Sequence, residues 1–261
     1  MSGEKSSKLY VIIIIILVLL IVGIVGLAYN FLFGGLKSET EPSTVSSGYS
    51  QTVSDETDEE TEVLPENPIN FKSLHKKNSE IVAWIRIPDT NINYPVLQSL
   101  TADDFYLHRD VNKSAKYAGS IYMEYCNSSE FTDRVTVLYG HNMKDGSMFA
   151  NLHKFENPDF FKKHRYFYVY TENEILTYEV VSAYNYSDKH IMNSYNFTEN
   201  KVFKNYLEYI LNPRSAVKNV RKKLDHKLTT DDRVLTLSTC LNIGDGRYLL
   251  QGVLVKDEYT R

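Results

Sequence analysis

RVLTLSTCLNIGDGRYLLQGVLVK, residues 233–256, reads as two β-strands joined by a short turn. Val, Leu and Thr fill 233–239, and Tyr, Leu and Val fill much of 247–256, residue types that suit a pleated, buried surface. The six residues between, Leu241-Asn242-Ile243-Gly244-Asp245-Gly246, carry the glycine, asparagine and aspartate of a turn. The first strand ends on Cys240, one of only two cysteines in the chain, and the second opens on Arg247. Neighbouring strands of this kind set a thiol and a guanidinium side by side at a sheet edge.

The same pattern continues upstream. Further strands are expected at 84–88, 92–96, 119–125, 134–139, 165–171 and 175–184, which with the last two makes about eight. Glu172-Asn173-Glu174 separates the fifth and sixth as a hairpin turn. Short helical pieces are expected at 71–78, with Asn70 as cap, and after Ser147, with a helical turn at 103–108. One longer helix is expected at 198–211, where Val202, Phe203, Tyr206, Leu207 and Ile210 follow a 3.6-residue period and Pro213 stops it. Strands do not alternate with long helices, so a doubly wound α/β sheet is disfavoured and a mainly β barrel or sandwich is expected. Packing of a curved sheet accounts for the 20 Tyr and 12 Phe.

A cysteine is a nucleophile only as a thiolate, and imidazole is its usual proton partner. Of the seven histidines, His75, His164 and His226 sit among basic residues, His108 and His153 on expected short helices, and His190 in a polar loop. His141 differs: it ends the strand RVTVLY, 134–139, behind Gly140, whose missing side chain permits close backbone approach. Cys240 and His141 are therefore a candidate pair. Arg247 is open to two readings: a surface residue bonded to Asp245 or another carboxylate, or a fork of donors for charge developing on a carbonyl oxygen. The two cysteines are compatible with one disulfide, or with one reactive and one inert thiol. Neither CxxC nor metal-ligand spacing occurs, so no metal and no cofactor is expected.

Residues 9–33 hold no charge. The 18 residues from Val11 to Ala28 alone span about 27 Å as a helix. A single-pass membrane anchor is expected there, with residues 1–8 as a cytoplasmic tail, since Lys5 and Lys8 precede the span while Lys37 and two acids follow it. Residues 34–68 hold nine acids against one base, with many Ser and Thr, and read as an extracellular stalk. Residues 69–261 remain as one domain outside the cell. Without the ten acids and three bases of residues 1–68, the chain's net −4 becomes a slight positive excess, too small to call for nucleic acid.

TLSTC at 236–240 with Arg247 after it, LYGHNMKDGSMFANL at 138–152, WIRIP at 84–88 and YPVLQ at 94–98 resemble a sortase, most closely class B. The resemblance covers roughly residues 70–256. It implies the eight-stranded sortase-type β-barrel, with an N-terminal helical region near 70–80 and a helix before the penultimate strand, here 198–211. It implies that Cys240 is the nucleophile, His141 its acid and base partner, and Arg247 the oxyanion or substrate arginine. Ser238 and Thr239 come with the motif as pocket residues, with Asn142 and Tyr139 as weaker pocket candidates; Cys126 matches no catalytic position. The implied activity is that of a Gram-positive cysteine transpeptidase. Such an enzyme cuts a C-terminal sorting signal of a secreted protein after threonine and passes the acyl group to a peptidoglycan amine, anchoring that protein to the cell wall. The implied location is the outer face of the cell membrane. The rival readings are a peptidase or amidase that uses water, and a non-catalytic tethered surface domain. Papain-like enzymes place cysteine before histidine, at the start of a helix, the reverse of the order here.

Overall fold

The computed structural model describes residues 64–261. In chain order, helix α1 (Phe71–His75) precedes strands β1 (Ile81–Arg86), β2 (Asn93–Leu97), β3 (Ile121–Met123) and β4 (Val135–Tyr139). A 3₁₀ helix (Ala150–Glu156) and α2 (Pro158–Lys163) lead to β5 (Tyr166–Tyr170) and β6 (Glu174–Tyr186). Next come α3 (Ile191–Ser194), α4 (Asn200–Leu211), β7 (Lys218–Val220), β8 (Val234–Cys240) and β9 (Arg247–Tyr259). The strands lie in the order β5-β1-β2-β3-β4-β8-β9-β6, and β6 pairs back onto β5, closing an eight-stranded barrel. β7 extends the same edge of β6 at Ser182–Tyr184, past the last β5 partner at Glu179.

Closure leaves Leu235, Leu237 and Leu250 inside with Ile85, Val96, Phe167 and Tyr178. The alternate residues Val234, Leu249 and Val253 face outward, but into a second cluster with Phe203, Tyr206, Leu207 and Ile210 of α4. Both faces of β8 are thus covered, which is why its sequence runs apolar instead of alternating. Gln251 ties the layers together: its Nε2 donates to Tyr206 Oη at 2.7 Å and Thr236 Oγ1 at 2.9 Å, while Tyr184 Oη donates to its Oε1 at 2.8 Å.

The expected strands are all present, with ends shifted by a few residues. The long helix starts at Asn200, because Glu199 takes the capping position. α1 is capped by Asn70, whose side chain accepts from Ser73 N, but stops at His75. Asn78, expected inside that helix, is buried and donates from Nδ2 to Tyr106 Oη at 2.7 Å and Val111 O at 3.0 Å. Residues 103–108 form the expected turn, with Leu107 N donating to Asp104 O at 2.9 Å. Ser147 bonds Asp145 rather than capping the following 3₁₀ helix. Helices α2 and α3 and strand β7 were not anticipated: Asn157-Pro158 is a readable cap and first-turn signal for α2, and His190, read as part of a polar loop, caps α3. Both cysteines are free thiols, which removes the disulfide alternative.

Two pairings are parallel, β2 with β3 and β4 with β8. The second sets the geometry of the site. Tyr139 lies opposite Ser238, so the residues leaving β4 and β8 emerge at one end of the barrel. Among the described residues no helix is long and apolar enough to cross a membrane, and the apolar run 9–33 and the stalk up to residue 63 lie outside them.

Candidate active site

Cys240 is the last residue of β8 and pairs with Arg247, the first of β9. Arg247 Nη1 donates to Cys240 Sγ at 3.8 Å and to Gly246 O at 3.2 Å. The thiol is exposed and the guanidinium half-buried, so both reach an incoming ligand.

The neighbouring β4 end is locked on. Gly140 N donates to Ser238 O at 3.2 Å, continuing the parallel ladder one residue beyond the strand. A Cβ on Gly140 would lie 2.4 Å from Ile121 Cδ1 and 2.8 Å from the Phe149 ring, so glycine is the residue that permits this seat. His141 follows, with Nε2 2.9 Å from Leu107 O. A carbonyl only accepts, so Nε2 carries the proton and Nδ1 is left to exchange one. The Leu107 carbonyl is itself pressed by Gly119 at φ +58°, where a Cβ would come within 2.1 Å of that oxygen. The rings of His108 and Tyr117 flank His141 at 5.2 and 5.7 Å, tilted by 24° and 15°. Burial lowers the pKa of His141 below the ordinary histidine value; the Leu107 bond opposes this and His108 adds to it.

These ends enclose a small cleft of about 70 Å³, lined by Cys240, His141, Arg247, Ser238, Thr239 and Tyr139 together with Gly140, Leu107 and Tyr122. Ser238 and Thr239 are buried in its wall, and Thr239 Oγ1 has no hydrogen-bond partner among the described residues. Tyr139 Oη donates to the buried Glu124 carboxylate at 2.7 Å, and Glu124 also meets His190 at 3.1 Å. Asn142 is not among the lining residues: its Nδ2 lies 3.2 Å from Cys240 O and 2.9 Å from Asn242 Oδ1. Leu107, Tyr122, His108 and Tyr117 were missed in the sequence; they come from segments with no motif, brought in by the barrel. Cys126 stands apart, on a groove with Arg134 and Phe197, and burial raises its pKa. A larger groove of about 640 Å³ beside Tyr166 and Lys256 holds no thiol. Here the chemistry marks the site and volume does not.

A thiol ending one strand, a histidine just past the end of its parallel neighbour and an arginine opening the next are the groups that acyl transfer through a thioester would use. Residues 85–255 match the Sortase domain family. The chain belongs to the sortase family. Sortase B of Listeria monocytogenes is 38% identical over 190 residues, covering 71% of this chain and 74% of that protein. Sortase B of Staphylococcus aureus is 34% identical over 172 residues, covering 65% and 67%. Among solved structures, sortase B from B. anthracis in complex with AAEK1 has a TM-score of 0.62 at 39% identity, over 71% of this chain and 84% of that one. Clostridium perfringens sortase B has a TM-score of 0.65 at 31% identity, over 72% and 100%. The fold and the class B membership expected from the motifs both stand, and sortases are cysteine transpeptidases. The hydrolase and non-catalytic readings are not favoured.

Proposed function

We propose that this sortase cuts a sorting signal after threonine through a thioester on Cys240 and transfers the acyl group to a peptidoglycan amine. The observation that carries the proposal is the Cys240–Arg247 pair at 3.8 Å in one cleft with His141. Cys240 gives its thiol proton to Nδ1 of His141, the thiolate attacks the threonine carbonyl carbon, and the carbonyl π electrons move onto the oxygen. Arg247, a permanently charged fork of donors beside Sγ, meets that oxygen. His141 protonates the departing amine, the C–N bond breaks, and a thioester remains on Sγ. An acceptor amine then attacks the thioester, His141 takes its proton, and the thiolate leaves. Ser238 and Thr239 form part of the cleft wall that a bound peptide meets.

The apolar run 9–33 and the acidic segment 34–68 support a tethered enzyme at the outer membrane face. Secreted substrates emerge there and lipid-linked wall precursors reside there. The test uses the full chain in detergent with peptides ending in NPQTN-type or TG-type signals, with and without an amine acceptor. An amine-linked product requires Cys240, His141 and Arg247. Release of the free acid alone, whatever amine is supplied, would refute the transfer step.

A further inference from the structure

The polar side chains that follow His141 converge on the backbone of Cys240. Asn142 Nδ2 lies 3.2 Å from Cys240 O, and His153 Nε2 lies 2.9 Å from the same oxygen. Behind the imidazole, Glu156 Oε1 is 2.6 Å from His153 Nδ1. A carboxylate and a carbonyl only accept, so each of these two contacts is made by a ring N–H, and Asn142 Nδ2 stands 3.2 Å from the same Nε2, which packs the two side chains together over the carbonyl. The ring stacks on Tyr248 at 4.7 Å and 26°, and its side chain is only 10% exposed. Tyr248 pairs with Thr239, so His153 is held against the two strands that carry Cys240 and Arg247.

The carbonyl so held is where the sheet ends. Cys240 is the last residue of the β8–β9 ladder, and the next bond, Leu241 N to Gly246 O, is long at 3.4 Å. Without side-chain donors the peptide after the nucleophile has little to fix it. We propose that Asn142 and His153, backed by Glu156, are positioning residues that clamp the Cys240 carbonyl and thereby set the thiol relative to His141, the chain neighbour of Asn142. The role in catalysis rests on the sortase reading of Cys240 and His141. Displacing reacting groups by about 1 Å can cost about 10²-fold in rate, so a clamp one peptide from the thiol acts on the chemical step more than on binding.

The test compares wild type, His153→Leu and His153→Gln as full chains in detergent, by single-turnover acylation with a sorting peptide and by hydrogen exchange. His153→Leu is expected to lower the acylation rate about 10- to 100-fold while KM stays within about twofold. His153→Gln keeps an N–H aimed at the carbonyl and recovers most of the rate. Amides 241–246 exchange faster in His153→Leu, while those of β8 are unchanged. Wild-type acylation by His153→Leu, equal damage in His153→Gln, or exchange raised across the whole barrel would each overturn the clamp. If His153→Leu does not fold, Asn142→Ala removes one donor and is expected to slow acylation about three- to tenfold; no slowing would overturn the proposal. A wild-type protein that acylates no peptide would count against the sortase chemistry alone, because exchange at 241–246 in His153→Leu still decides the clamp.

Discussion

At the scale of single residues, Arg247 is the most exacting component. Its guanidinium is set against Cys240 Sγ by strand pairing rather than by a flexible loop. Lysine would keep the charge but lose the planar fork. Arg247→Lys is expected to lower kcat about 10²-fold, the scale of losing one oxyanion donor, in steady-state peptide cleavage. Cys240 is exposed at a strand end, so Cys240→Ala is expected to abolish turnover and leave the melting temperature nearly unchanged. His141 has a pKa lowered chiefly by burial, so the fold favours the neutral ring. Its titration, followed by NMR of the ring, is expected to have its midpoint below the ordinary value of about 6.5. The sign for stability follows from that direction. A depressed pKa means that the unfolded chain binds the proton more readily. The contribution is complete above about pH 6.5 and is lost as pH falls through the folded-state value. Denaturant titrations of His141→Gln are expected to show a flatter loss of stability over that window.

At the scale of elements, two contacts decide whether the strand ends meet. Gly140 sits where any Cβ would strike Ile121 and Phe149. Gly140→Ala is expected to cost about 1–3 kcal/mol in denaturant unfolding and to reduce activity by shifting His141 off its seat. Gln251 satisfies Tyr206, Tyr184 and Thr236 in the layer between barrel and α4. Gln251→Leu would leave the buried Tyr184 hydroxyl without its acceptor and take a donor from Tyr206 and Thr236, and about 3 kcal/mol of destabilisation is expected. The elements themselves were legible to different degrees. Long runs such as 134–139, 175–184 and 233–239 announced strands because burial on both faces demands continuous β-branched and apolar residues. Lys218–Val220 did not, because a three-residue strand on the edge of β6 has no buried period to read. α1 ended early because Asn78 bonds to Tyr106 and Val111, a tertiary pull that local propensity does not register.

At the scale of the whole molecule, the candidate triad was legible because each member closes or opens a strand and sits in a specific motif. What brings them together was not: β4 and β8 are parallel and lie 99 residues apart, while the hairpin rhythm of the sequence suggested neighbours in order. For the same reason Leu107, His108 and Tyr117 were invisible as site residues. They reach His141 only through the turn-rich segment that Gly119 presses into place. His153 read as an ordinary helix histidine, since nothing local reveals that its ring faces the Cys240 carbonyl. Three strand ends meet in the candidate site, and the proposed chemistry stands or falls on a covalent intermediate on Cys240. The most direct test is intact-mass spectrometry of the full chain quenched in acid after mixing with a sorting peptide and no amine. The predicted result is an adduct of the peptide cut after threonine, mapped to Cys240 and lost on adding hydroxylamine. Peptide cleavage with no adduct on Cys240, or the same adduct formed by Cys240→Ala, would contradict it.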